Sequence, residues 1–254
     1  MANAPDQFAK AIERVQKELV KQVFDLQKQG LTKNEILLVL QGLDMEDVIL
    51  NKLNLQADID RLMLEYQSVL KGMEMTGAVT GEALTALVNI DRSAFIKQSG
   101  VMGETIKKEI ARGIIANATE KEITEGILKG AGGVLRADQA QTLANTGLNT
   151  FERNVTVQMA EFDSKDAKYV YLGVIDDKTR DICLEMASAG ALTREQIESS
   201  YPSAFSDGAG WNCRHRWARE TSNSSKLTNP SKAKSFIKNK KNFRPITARG
   251  ELVG

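Results

Sequence analysis

The chain is poor in the residues that usually carry chemistry. Its 254 residues include two cysteines, one histidine and four prolines, and aromatic residues make up 6%. Two cysteines are too few for a secreted disulfide scaffold. One histidine excludes catalytic machinery that needs a histidine pair, such as HExxH, and neither a glycine-rich phosphate loop nor GxSxG is found. No run of about eighteen apolar residues is present, so no membrane helix and no membrane partner is expected. The first residues, MANAPDQFAKAIERVQ, lack the charged-then-apolar plan of a signal peptide, so the protein is expected to stay in the cytoplasm that makes it. A net charge of +1 gives no overall attraction to nucleic acid.

What the chain has in quantity is helical pattern. Phe8, Ile12, Val15, Leu19, Val23 and Leu26 recur at spacings of three and four, predicting a helix over 5–29 that Gly30 stops. Thr32 with Glu35, and Thr119 with Glu122, are capping boxes for helices over 33–41 and 121–129. A third helix is expected over 45–71, then shorter ones over 82–88, 92–98 and 104–115, and a long one over 136–162. After Ser164 the character changes. Tyr169 to Ile175 favour a strand, Asp176-Asp177 a turn with a helix starting at Lys178, and Thr193 with Gln196 a short capped helix. Trp211 to Arg219 reads as a second strand pairing with the first. From Thr221 on, Lys226, Lys232, Lys234, Lys238, Lys240, Lys241, Arg244 and Arg249 face only Glu251. So polar a stretch is expected to be poorly ordered by itself and to be drawn to DNA. The fold class expected is therefore mainly α with a small α+β C-terminal part. The expected divisions are a helical region over 1–135, a Cys/His-containing module over 136–220 and a basic tail over 221–254.

Both cysteines, the histidine and both tryptophans fall between Tyr171 and Trp217. On a strand, Cys213 and His215 point to one side, and Cys183 sits early in the preceding helix. Those three, with Asp177 or Asp181 as a fourth group, are a candidate zinc site, since zinc accepts sulfur, imidazole and carboxylate in a tetrahedral shell. Two other readings stay open. A Cys183–Cys213 disulfide would close a loop of about thirty residues, worth roughly 3–4 kcal/mol. Otherwise the two are buried thiols beside a hydrogen-bonded histidine. Asp177 is expected to cap the helix and Arg180 to form a local ion pair or contact a phosphate. Trp211 and Trp217 are expected to cover the small core. Arg214, Arg216 and Arg219 alternate with the buried set and would form a basic row, solvated or turned to nucleic acid or an acidic surface. A thiol enzyme would need His215 to serve Cys183 as its base.

These residues carry a resemblance. YLGVIDDKTRDIC, from Tyr171 to Cys183, resembles the Y-x-G-P-x-D-x-x-T-R-x-x-C signature of the Mu F-like head morphogenesis proteins, minor head proteins of tailed phages. GWNCRHRW, from Gly210 to Trp217, is similar to the closing motif of that family. RADQAQTLANTGLN, from Arg136 to Asn149, resembles its R-A-x-x-I-A-x-T-E segment, in the same order. Val174 stands where the family has proline and Gly147 where it often has glutamate. The second motif also lacks the extra histidine and last cysteine of the H-P-N-C-R-C variant. The resemblance implies a structural virion component of the phage head present in few copies, not an enzyme. Its partners would be the portal protein and other capsid proteins, with packaged DNA as a further partner through the basic tail. Its role would be in head assembly and DNA packaging or ejection. The alternatives are a small virion-borne Cys/His enzyme, a nuclease or transferase, or a DNA-binding protein using the basic tail.

Overall fold

The computed structural model describes residues 3–74, 81–210 and 213–244. The protein is mostly helical, with a small three-stranded antiparallel sheet and a Cys/His cluster toward the C-terminal region. Two compact units are distinguished: Met1–Ser68 with Thr85–Ala144, and Val69–Leu84 with Asn145–Gly254.

In the first unit the apolar stripes become a helical core. Helix α1 (Ala4–Lys28) starts at Asn3, whose side chain accepts from the Asp6 N–H, and buries Phe8, Ile12, Val15, Leu19 and Val23. Each such side chain contributes about 1.5–3 kcal/mol. Phe8 meets Phe95 edge to face, with centroids 5.4 Å apart. Helices α2 (Lys33–Gly42) and α6 (Glu120–Leu128) begin with both expected capping boxes fully formed.

The helix expected over 45–71 is broken. It runs as α3 (Met45–Asp47), widens into a π-helical turn over Val48–Lys52, and restarts as α4 (Leu55–Glu74). Asn54 between them takes φ +59°, a conformation asparagine tolerates better than most residues. The carbonyl of Leu53 at this break accepts from the Arg14 guanidinium, which also pairs with Asp58 at 2.8 Å. Conversely, the three short helices expected over 82–115 are one helix, α5 (Gly81–Ile115). Gly103 inside it is a packing residue, because a Cβ there would lie 2.5 Å from Ile49 Cδ1.

The second unit holds the sheet. Helix α7 (Ala137–Ala160), whose last turns belong to this unit, leads into strand β1 (Lys168–Leu172). Helix α8 (Asp181–Ala189), strand β2 (Leu192–Thr193) and helices α9 (Arg194–Ser200) and α10 (Ala204–Asp207) follow. Strand β3 (Arg216–Arg219) returns to the sheet. The order is β2-β1-β3, all antiparallel, with Tyr171 opposite Trp217 and Tyr169 opposite Arg219. Tyr169, Tyr171, Leu184, Met186, Ile197, Phe205 and Trp217 form the core. Tyr169 packs edge to face on Phe205 at 5.0 Å.

The tail, expected to be poorly ordered by itself, is helical to Asn239 where it packs on the rest of this unit. Helices α11 (Ser222–Leu227) and α12 (Pro230–Asn239) follow β3 directly, and α12 lies along α8. Ala233 is fully buried, and Phe236, Ile237 and Phe243 pack against the core. Lys240 pairs with Asp181 at 2.6 Å, and the Arg244 N–H donates to the same carboxylate. Arg249 and Glu251 lie outside the described residues.

Candidate metal centre

The turn after β1 is built differently from the sequence expectation. Asp176, not Asp177, closes it. Its carboxylate accepts from the Lys178 N–H and the Thr179 hydroxyl, and its carbonyl accepts from the Thr179 N–H. The Thr179 hydroxyl in turn accepts from the Asp176 N–H. This knot keeps the chain out of helical geometry until Arg180, so α8 starts at Asp181 rather than Lys178. Asp176 is also gripped by Arg214 at 2.6 and 2.8 Å, which holds its carboxyl well below the ordinary range. Arg180 donates to the Ala209 carbonyl at 2.6 Å, tying the loop before the second motif to the start of α8.

Three sequence-nominated ligands do converge. Cys183 lies in the first turn of α8, and Cys213 and His215 lie just before β3. Cys213 and His215 are not on the strand, which is shorter than expected. They still face inward together while Arg214 between them is partly exposed. One ligand atom from each of the three lies within 4.8 Å of the others, and each residue is only 2% exposed. Asp177 is not among them; it is exposed, so the candidate set loses it. Asp181, the other carboxylate considered, is held by Lys240 and the Arg244 N–H.

The sulfurs are 3.8 Å apart and both cysteines are free, so no disulfide joins them. Two sulfurs each about 2.3 Å from one tetrahedral metal would be separated by about 3.8 Å. His215 is held in a matching orientation. Its Nε2 lies 2.9 Å from the Val174 carbonyl and must donate to it, leaving Nδ1 as the ring's acceptor. Nδ1 is buried without a hydrogen-bond partner. A buried imidazole with one nitrogen fixed by a carbonyl and the other unpartnered, in a residue grouped with two thiols, is what a metal-ligating histidine presents. The residues therefore fit a metal. A buried Cys183–Cys213–His215 group able to hold one is present, and the ion's identity is a separate question. The two sulfurs are in hydrogen-bond contact with either thiol able to donate, and this contact splits them, drawing Cys213 below its ordinary range and pushing Cys183 above it.

Residues the sequence reading missed hold this cluster. The Tyr171 ring is parallel to His215 at 5.5 Å and tilted on Trp217 at 4.9 Å. Its hydroxyl is 3.4 Å from the Cys213 sulfur and 3.9 Å from that of Cys183. Arg153 on α7, 4% exposed, donates to the carbonyls of Cys213 and His215, and Thr156 donates to that of Trp217. Gly173 is required because a Cβ would strike the His215 ring, 2.5 Å from Cγ. Period-two alternation puts Tyr169 and Tyr171 on one face of β1, which could have nominated Tyr171. Nothing local nominates Arg153.

Trp217 is fully buried in the core, as expected, while Trp211 lies outside the described residues. The basic row is internally matched: Arg214 pairs with Asp176, Arg216 with Glu152 and Arg219 with Asp163, at 2.6 to 2.8 Å. It is neither a bare solvated face nor a free cationic strip. Among the described residues no helix is long and apolar enough to cross a membrane. Comparison of the chain with protein-family models, curated proteins and solved structures finds no match in any of the three.

Proposed function

We propose that this chain is a minor head protein of a tailed phage, located in the virion. Its C-terminal module is organised on a zinc ion held by Cys183, Cys213 and His215. The observation that carries the reading is the convergence of the two motif segments behind the family resemblance. Their cysteines and histidine meet in one buried cluster with an unpartnered imidazole nitrogen. Zinc is the ion that best suits two thiolates and an imidazole. Bound there, it would cross-link α8 to the segment entering β3. A structural ion suits a module whose sheet has only three short strands.

Burial of both sulfurs supports a binding role over a thiol enzyme, since no substrate carbon can approach them. Partners are the portal protein and other capsid proteins. In support, the helical unit exposes Leu38 and Val39 beside an apolar groove of about 190 Å³ lined in part by Leu19, Val23, Val39 and Leu43. Packaged DNA is a further partner. Lys232, Lys234, Lys238 and Lys241 are exposed on or just after α12, and no acidic residue lies between Thr221 and Arg244. Two measurements test the reading. Mass spectrometry of purified virions with a portal pull-down should find the chain in particles and on the portal; its absence from both overturns the head-protein assignment. Metal analysis should find about one zinc per chain, lost in Cys183→Ser and His215→Ala, and a metal-free protein overturns the zinc centre.

A further inference from the structure

Cys183, Cys213 and His215 supply three ligands, and a closed structural zinc site takes four. The nearby carboxylates are committed elsewhere. Asp176 is clamped by Arg214, Asp181 by Lys240 and the Arg244 N–H, and Asp177 is exposed. The polar atom that does reach both sulfurs is the Tyr171 hydroxyl, at 3.4 and 3.9 Å, while the sulfurs are 3.8 Å apart. With bonds of about 2.3 Å to sulfur and about 2.0 Å to oxygen, a tetrahedral shell has sulfur–sulfur edges near 3.8 Å and sulfur–oxygen edges near 3.5 Å. The observed triangle has those dimensions to within a few tenths of an ångström.

We propose that the Tyr171 hydroxyl is the fourth ligand, making the shell two sulfurs, one imidazole nitrogen and one phenol oxygen. The proposal rests on the metal reading above. Tyr171 is placed for the task. It is 3% exposed, and its ring is fixed between His215 at 5.5 Å and Trp217 at 4.9 Å, so little motion remains to be lost on binding. On metal entry the phenol proton leaves to solvent together with the remaining thiol protons. Two thiolates and a phenolate around a divalent ion carry one net negative charge. Arg180, which acts electrostatically on the Cys183 thiol, helps offset it.

The test titrates the metal-free full chain with zinc and, separately, with cobalt(II). It follows ultraviolet difference absorption for tyrosinate and the visible cobalt bands for coordination number. The expected result is one metal per chain, with one tyrosinate band growing in step with zinc in wild type and in Tyr169→Phe. In Tyr171→Phe that band should be absent, the cobalt spectrum changed and affinity lower by about tenfold or more. Stoichiometric metal binding in wild type with no tyrosinate band would overturn the ligand assignment and leave the three-residue metal site standing. Failure of wild type to bind either metal would overturn both. The wild-type band decides the question even if Tyr171→Phe fails to fold.

Discussion

Gly173→Ala should damage the C-terminal module far more than the loss of two hydrogen atoms suggests. A Cβ at this position would lie 2.5 Å from His215 Cγ and 2.9 Å from Nε2, where carbon contacts settle at about 3.5–4.0 Å. The ring must retreat by about 1 Å. That stretches the 2.9 Å Nε2–Val174 hydrogen bond beyond a useful length, takes the ring off Tyr171 and carries Nδ1 away from the sulfurs. Overpacking costs about 1–3 kcal/mol and the lost hydrogen bond about 1 kcal/mol, so the module should lose about 2–4 kcal/mol. Trp217 is fully buried in the second unit and the only other tryptophan, Trp211, is six residues before it in sequence, so indole fluorescence during urea unfolding follows that part of the chain. Metal titration of the same variant should show weakened binding. A variant with wild-type unfolding and wild-type metal affinity would refute the claim that Gly173 exists to admit the His215 ring.

Four further outcomes are expected. Asp176→Asn should cost about 1 kcal/mol or less at pH 7, because the pair with Arg214 is roughly one-third exposed and screened. The folded carboxyl titrates below its unfolded value of about 3.9, so this stability is present above that pH and fades as pH falls. The gap between urea midpoints of variant and wild type should therefore begin to narrow as pH falls below about 4 and keep narrowing into strong acid, and a gap that widens on acidification would reverse the sign. Truncation after Glu220 strips the buried Ala233 and the half-buried Phe236, Ile237 and Phe243 from α8 and should lower the tryptophan-monitored midpoint, whereas an unchanged midpoint would mean α12 is not part of the module. Thr119→Ala removes one half of a formed capping box and should cost about 1 kcal/mol in the first unit, read by circular dichroism on denaturation. If α12 contacts DNA, Lys234→Ala with Lys238→Ala should flatten the plot of log affinity against log salt by about two units of slope, and an unchanged slope places the contact elsewhere.

What could be read from the sequence was set by how local the determining interaction is. Capping boxes at Thr32, Thr119 and Thr193 are all formed, because both halves lie within three residues. The stripe from Phe8 to Val23 is buried for a similar reason, one helix face being a property of spacing. The break at Asn54 is not visible in the sequence, because the Leu53 carbonyl beside it is served by Arg14, thirty-nine residues earlier. Gly103 resembles a helix stop until Ile49 is known to press on it. The tail's own apolar area is too small to order it, and its helix rests on apolar surface elsewhere in the unit, which no count within the tail includes. Ala233, Phe236 and Ile237 are few, but they close onto a surface that α8 already provides, so the ordering cost is met by both sides of the contact.

The candidate site follows the same division. Cys183, Cys213 and His215 could be nominated because their residue types are rare in this chain, and the fold brings all three together. Asp177 was nominated on proximity in sequence, and the neighbouring Asp176 took the turn, because only its carboxylate also meets Arg214. The arginine row carries the more general lesson about charge. Alternation correctly turned Arg214, Arg216 and Arg219 outward from the buried set, and that looked like a cationic strip. Their partners Asp176, Glu152 and Asp163 lie 38, 64 and 56 residues earlier, and no local window contains them. Three pairs cancel the strip, so an attraction to DNA cannot be assigned to it. The same accounting strengthens the case for α12. Of the cations after Thr221, Lys240 is spent on Asp181, while Lys234 and Lys238 project from a helix whose opposite side is buried on α8. A helix anchored by its apolar side holds its lysines at fixed spacing, so the proposed DNA contact would meet a preformed cationic surface and avoid the ordering entropy that a flexible tail would lose.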